Sequence, residues 1–176
     1  SSTGLLCYSD QKEKYVRPNK GAKHAYLLIN ELFKLEPKSD KTSIDGAIRL
    51  AMSMIKRKSI IVLISDFLDE GYERDLKALG RFHDLIVIHT ATPTELELLD
   101  AGIVPVNFME GGKRRFANTS VKSTREAIAN YYRDKRERVA NLCHKNDINY
   151  LYVNTDEDYI PQLIRLFKVR QIAKRR

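Results

Sequence analysis

The stretch Ile60-Ile61-Val62-Leu63-Ile64-Ser65-Asp66-Phe67-Leu68-Asp69 is a run of five aliphatic residues that stops on an aspartate. Five consecutive apolar side chains leave no polar face. The run therefore reads as a parallel strand covered on both sides, the situation of α/β domains. Burying Ile60 to Ile64 would contribute roughly 1.5–3 kcal/mol per side chain, enough to fix the strand and the carboxylate after it. In such sheets ligands sit outside the carboxyl ends of the strands, which is where Asp66 falls.

Working outward, strand-like runs alternate with helical patterns, as expected for a largely parallel sheet with crossover helices. Gly4 to Ser9 and Glu13 to Arg17 predict a hairpin at one edge of the sheet, turning at Ser9-Asp10-Gln11-Lys12. Helices follow over Gly21 to Leu35, with Ala25, Leu28, Ile29, Leu32 and Phe33 on one face, and over Ser43 to Lys56. Past the aliphatic run come a helix over Tyr72 to Arg81 and a second buried strand, Leu85 to His89. Thr92-Pro93 breaks the pattern, and Ile103 to Phe108 with Arg114 to Ala117 predicts an antiparallel hairpin added to the sheet, turning at Gly111-Gly112. Ser123 and Glu126 are spaced as a capping box for a long helix, Val121 to His144. Asn149 to Val153 is the last strand, and Thr155 with Asp158 repeats that spacing before a terminal helix, Asp156 to Val169.

The 176 residues suit one domain, residues 1–176, and a hydrophobic share of 43% with 31% charged residues is that of a globular protein. No apolar run approaches the ~20 residues of a membrane span, and no signal peptide is visible. Cys7 and Cys143 have no metal-ligand spacing, so they read as reduced thiols of a cytoplasmic protein. The net charge of +8 is spread over Lys56 to Lys58, Lys113 to Arg115, Arg133 to Arg138 and Lys174 to Arg176. Without interleaved aromatic residues these clusters suit a solvated surface or an acidic protein partner better than nucleic acid.

Candidate chemistry is sparse. His24, His83, His89 and His144 stand beside no nucleophile in a motif, and His83-Asp84 would point to opposite faces of a strand. Gly111-Gly112 lacks the pattern of a phosphate loop. Tyr131-Tyr132 divide between core and surface with no cofactor implied. Asp66 is open to three roles: a cap or acceptor for backbone N–H groups, an oxygen ligand, or a nucleophile beside Mg²⁺. The last would make the chain an aspartyl-phosphate receiver or a haloacid-dehalogenase-like phosphotransferase. Against the dehalogenase type, the sequence has Asp66-Phe67-Leu68-Asp69 where that class has D-x-D. The chain also has no helix before its first hairpin and reaches its first buried parallel strand late, so it reads as the later part of a larger α/β domain.

Gly4-Leu5-Leu6-Cys7-Tyr8-Ser9-Asp10, Pro18-Asn19-Lys20-Gly21, Thr42-Ser43, Leu63-Ile64-Ser65-Asp66-Phe67, His83-Asp84 and Asn154-Thr155-Asp156-Glu157-Asp158-Tyr159 occur in this order. In this the chain resembles the C-terminal half of bacterial proteins of domain-of-unknown-function family 58, relatives of the von Willebrand factor A domain encoded beside MoxR-type AAA+ ATPases. The resemblance implies a three-layer, doubly wound, mostly parallel sheet, incomplete at its N-terminal strand. It also implies a non-enzymatic protein-interaction module, adaptor or partner of such an ATPase, with Asp66 and Asp69 at the partner surface. In that fold a D-x-S-x-S motif, a threonine and an aspartate hold one Mg²⁺; Thr42 and Asp66 fall at the last two positions. No D-x-S-x-S occurs in this sequence, so tight metal binding by this chain is not expected. The gap in the sheet is expected to close by pairing of the Gly4 strand with Ile60 to Ile64, or by another chain, which opens a route to oligomers.

Overall fold

The computed structural model describes residues 2–92, 100, 102–106 and 115–173. The chain divides into two compact units, Ser1–Lys58 with Asp69–Arg81, and Ser59–Leu68 with Phe82–Arg176.

The first unit opens with β1 (Thr3–Tyr8) and β2 (Lys12–Asn19), an antiparallel hairpin in which Leu6 faces Tyr15 and Cys7 faces Lys14. The expected hairpin is present, as a two-stranded sheet among the described residues. Helix α1 (Ala22–Phe33) buries only Leu28; Ile29, Leu32 and Phe33 of the expected apolar face are exposed. Helix α2 (Ile44–Met54) starts at Ser43, whose Oγ accepts from the Gly46 N–H at 3.2 Å. This hydroxyl also donates to Asp45 at 2.6 Å and holds that carboxyl below its ordinary range. Ile44, Ile48 and Ala51 are buried at i, i+4 and i+7, one helical stripe. Helix α3 (Glu73–Phe82) buries Leu76 and Leu79, and Arg49 of α2 pairs with its Asp75 at 2.7 Å.

The second unit is built on a parallel sheet ordered β3-β4-β7, from β3 (Ile60–Ser65), β4 (Asp84–Ala91) and β7 (Asn149–Asn154). Strand β4 is central, and Leu85 to Ile88 are buried without interruption, as a strand covered on both faces requires. Among the described residues β3 has β4 as its one strand neighbour, and here the structure differs from the expectation of a strand covered on both sides. Ile60, Val62 and Ile64 are 58%, 42% and 62% exposed. A continuous aliphatic run identifies a parallel strand but not its place in the order. Among the described residues β1 pairs with β2, and β3 with β4.

On one face of this sheet Ile86, Ile88 and Val153 pack with Leu163 and Leu166 of α5 (Ile160–Ala173). On the other, α4 (Lys122–Lys145) lays Arg136 over the Tyr152 ring of β7. The second unit is thus layered helix, sheet, helix. Strands β5 (Ile103–Val106) and β6 (Arg115–Asn118) pair antiparallel as expected, but as a separate sheet; the Gly111-Gly112 turn lies outside the described residues.

Arg170 of α5 meets Asp84 at the start of β4 at 2.5 Å, both side chains largely covered. Asp84→Ala leaves the guanidinium half of this pair without its carboxylate, and about 1–3 kcal/mol of stability should be lost in urea unfolding. Arg170→Ala should cost a similar amount. The double variant should lose less than the sum of the two.

Candidate functional site

A strand must end in a way that keeps its last backbone groups satisfied, and the residues after β3 do this locally. Ser65 Oγ accepts from the Phe67 N–H at 3.1 Å, and Asp66 Oδ1 accepts from the Leu68 N–H at 3.1 Å. The Asx-type turn reverses the chain at Phe67, which sits at φ 54°, a left-handed backbone uncommon for a bulky residue. Phe67 is wholly buried and its ring lies 5.2 Å from His89. Asp66 is exposed at the carboxyl end of the parallel sheet.

Around it the second unit forms a small concavity of about 10 Å³, with Asp66, His89, Tyr132, Lys135, Arg136 and Tyr152 in its lining. That is room for about one water, far below the roughly 300–1,000 Å³ of small-molecule sites. His89 Nδ1 shares a hydrogen bond with Tyr150 Oη at 2.9 Å, and the ring meets Tyr152 edge-on at 5.3 Å. Burial pushes the imidazole down to about 4; Asp66 opposes the shift, and the Arg136 and Lys135 charges add to it. His89 is therefore neutral at physiological pH. Lys135 is only 5% exposed, with its ammonium 5.7 Å from the Tyr131 ring, and Arg136 stacks at 4.9 Å on Tyr152.

The residues singled out by sequence fall in different places. Thr42 is exposed on the first unit, where its neighbour Ser43 takes the capping position before α2. Asp69, also in the first unit, accepts the Ile44 N–H at 2.7 Å through Oδ2 and so helps cap that helix. Asp66 lies in the second unit. There its surroundings do not suit a divalent cation: the concavity supplies one carboxylate and two cationic side chains, whereas Mg²⁺ takes several oxygen ligands. Among the described residues no three His, Cys, Asp or Glu side chains converge into a metal-holding group. His24 Nε2 contacts the Thr3 carbonyl at 2.8 Å, and His83 Nδ1 accepts the Ser59 N–H at 3.4 Å. Both free cysteines have thiols raised by burial, Cys143 to about 12, where thiolate chemistry is suppressed.

Lys135 is the residue that sequence reasoning missed, because the basic run Arg133 to Arg138 reads as a solvated face. Its signal was positional: Ile128, Lys135, Val139 and Cys143, all buried, recur at helical spacing on one side of α4.

The second unit, with its parallel three-stranded sheet between helices, defines an α/β protein. Residues 1–138 match the family model described as protein of unknown function DUF58, and the chain belongs to that family. It is 29% identical over 117 residues to the uncharacterized protein MAV169 of Mycobacterium avium, covering 66% of this chain and 69% of that protein. To the uncharacterized protein Rv1480 of Mycobacterium tuberculosis it is 27% identical over 117 residues, 66% of this chain but only 37% of that protein. Among solved structures it is similar in fold to the conserved hypothetical protein BatB of Bacteroides thetaiotaomicron. The TM-score is 0.54 at 14% identity, covering 98% of this chain and 80% of that one. Among the described residues no helix is long and apolar enough to cross a membrane.

Proposed function

We propose that the chain is part of a von Willebrand A-like protein-interaction module that serves as adaptor or partner of a MoxR-type AAA+ ATPase. The observation that supports interaction over turnover is the site itself. An exposed carboxylate, held by its own Asx turn, stands beside two cationic side chains at a concavity with room for one water. Such a surface suits a charged side chain of a protein partner, and its size is wrong for a small-molecule substrate. Family membership and the parallel sheet ending at Asp66 are consistent with this reading.

In this reading Asp69 also belongs to the partner surface. A pull-down of the protein against a MoxR-type ATPase is the test. Capture is expected, with at least a tenfold loss on Asp66→Ala. Capture should persist in the presence of a chelator, as direct charge pairing at Asp66 requires. No capture, or capture unaffected by Asp66→Ala, would refute the site.

A further inference from the structure

His89 of β4 is paired in register with Ser65, the last residue of β3, and with Tyr152 of β7. Its side chain is buried, and its Nδ1 lies 2.9 Å from Tyr150 Oη. The ring also hydrogen-bonds the Asp66 main chain. That bond favours the protonated ring, against the larger effect of burial, so its acceptor is the carbonyl oxygen. A neutral imidazole has one N–H and one acceptor nitrogen. The N–H goes to the Asp66 carbonyl, so Nδ1 accepts and the Tyr150 hydroxyl donates. One tautomer of His89 satisfies both bonds.

The same ring supports the turn that follows β3. Phe67, at φ 54°, rests its buried ring on His89, and the Tyr150 and Tyr152 rings meet the imidazole edge-on at 6.0 and 5.3 Å. The main chain of Asp66 and the side chain of Phe67 therefore lean on one imidazole. Asp66 Oδ1 is bound within that turn to the Leu68 N–H, so a turn that shifts carries the carboxylate with it. Neutrality suits the ring to this duty. A cation in its place would pair with Asp66 and compete with an incoming group.

We propose that His89, its tautomer fixed by Tyr150, is the positioning residue that sets the resting place of the Asp66 carboxylate, and that partner binding depends on this pair without either residue touching the partner. The inference rests on the reading of Asp66 as a docking carboxylate. Tyr150 acts at one remove. Without its hydroxyl, Nδ1 loses its donor and the single ring proton can sit on either nitrogen. With the proton on Nδ1 the ring no longer donates to the Asp66 carbonyl, and the turn loses its tie to β4.

Nuclear magnetic resonance reads this device without a partner. In the native protein, long-range proton–nitrogen correlations should show His89 protonated on Nε2 alone, and the Phe67 and Leu68 amides should have order parameters of about 0.85. In Tyr150→Phe both tautomers should appear and these order parameters should fall toward about 0.6, with β4 and β7 unchanged. Capture of a MoxR-type ATPase should weaken about tenfold in Tyr150→Phe and in His89→Leu, as the loss of a buried hydrogen bond predicts. His89→Gln, whose amide keeps a donor and an acceptor, should recover most of it. A single tautomer and an unchanged turn in Tyr150→Phe would overturn the proposal. So would capture that Asp66→Ala abolishes and Tyr150→Phe leaves intact. A loosened turn with capture indifferent to Asp66→Ala would instead refute the docking surface and uphold His89 as the residue that positions the carboxylate.

Discussion

Phe67→Ala should lower stability by about 3–5 kcal/mol, seen as a fall in the urea midpoint with little change in slope. Phe67 is wholly buried, its ring packs on His89, and its backbone stands at φ 54° directly after the candidate carboxylate. Removal of the ring opens a cavity beneath the turn, while alanine retains the strain of a left-handed backbone. Phe67→Gly separates the two effects. Glycine adopts this φ without the Cβ clash of roughly 1–2 kcal/mol, so the glycine variant should be at least as stable as the alanine one. This reverses the usual order, in which glycine costs more than alanine. A loss below about 1 kcal/mol for Phe67→Ala would mean that the ring does not hold the turn.

The second large effect is acid sensitivity centred on His89. Its folded-state value is pushed down to about 4, against an ordinary 6.5. Between these values the unfolded chain binds a proton that the folded chain refuses. Stability therefore rises with pH across the window: the His89 contribution is complete above 6.5 and is lost as pH falls toward 4. The full difference amounts to about 3 kcal/mol. Urea unfolding measured at intervals through this window should show the slope in the native protein and lose most of it in His89→Gln. Asp45 and Asp100 are held below their ordinary range, so their contributions vanish at lower pH and are common to both proteins. Equal slopes in the two proteins would remove His89 as the cause.

Much of this architecture was legible in the residues, and the misreadings have physical reasons. The aliphatic runs at Ile60 and Leu85 marked two of the three parallel strands, because few other elements tolerate such sequences. They did not distinguish edge from centre, since that depends on neighbours distant in sequence. The capping box expected at Ser123 is not formed, and the last helix, expected from Asp156, starts later. Helix α4 follows Val121, with no side-chain cap, and Arg125 reaches back to the Thr119 carbonyl. Helix α5 begins at Ile160, so that Pro161 falls in its first turn, where a missing N–H does no harm. A start at Asp156 would have placed that proline inside the helix. Thr155 donates instead to the Ala91 carbonyl at 3.2 Å, tying the end of β7 to the end of β4.

Asp66 could be placed at a strand end from sequence, but its cationic neighbours could not. Arg133 to Arg138 looks uniformly solvated until helical periodicity is imposed on it. Lys135 then shares a face with Ile128 and Val139, and Arg136 comes to lie on Tyr152. The pairing of that face with β7 is a long-range fact that no local pattern carries.

The difference between β3 and β4 also bears on motion. Among the described residues β4 is hydrogen-bonded along both edges and β3 along one, so the two do not open at equal cost. The end of β3 can open while β4 and β7 stay paired with each other, and Asp66 rides on that end. A carboxylate mounted there can shift to meet an incoming group without disturbing the frame behind it.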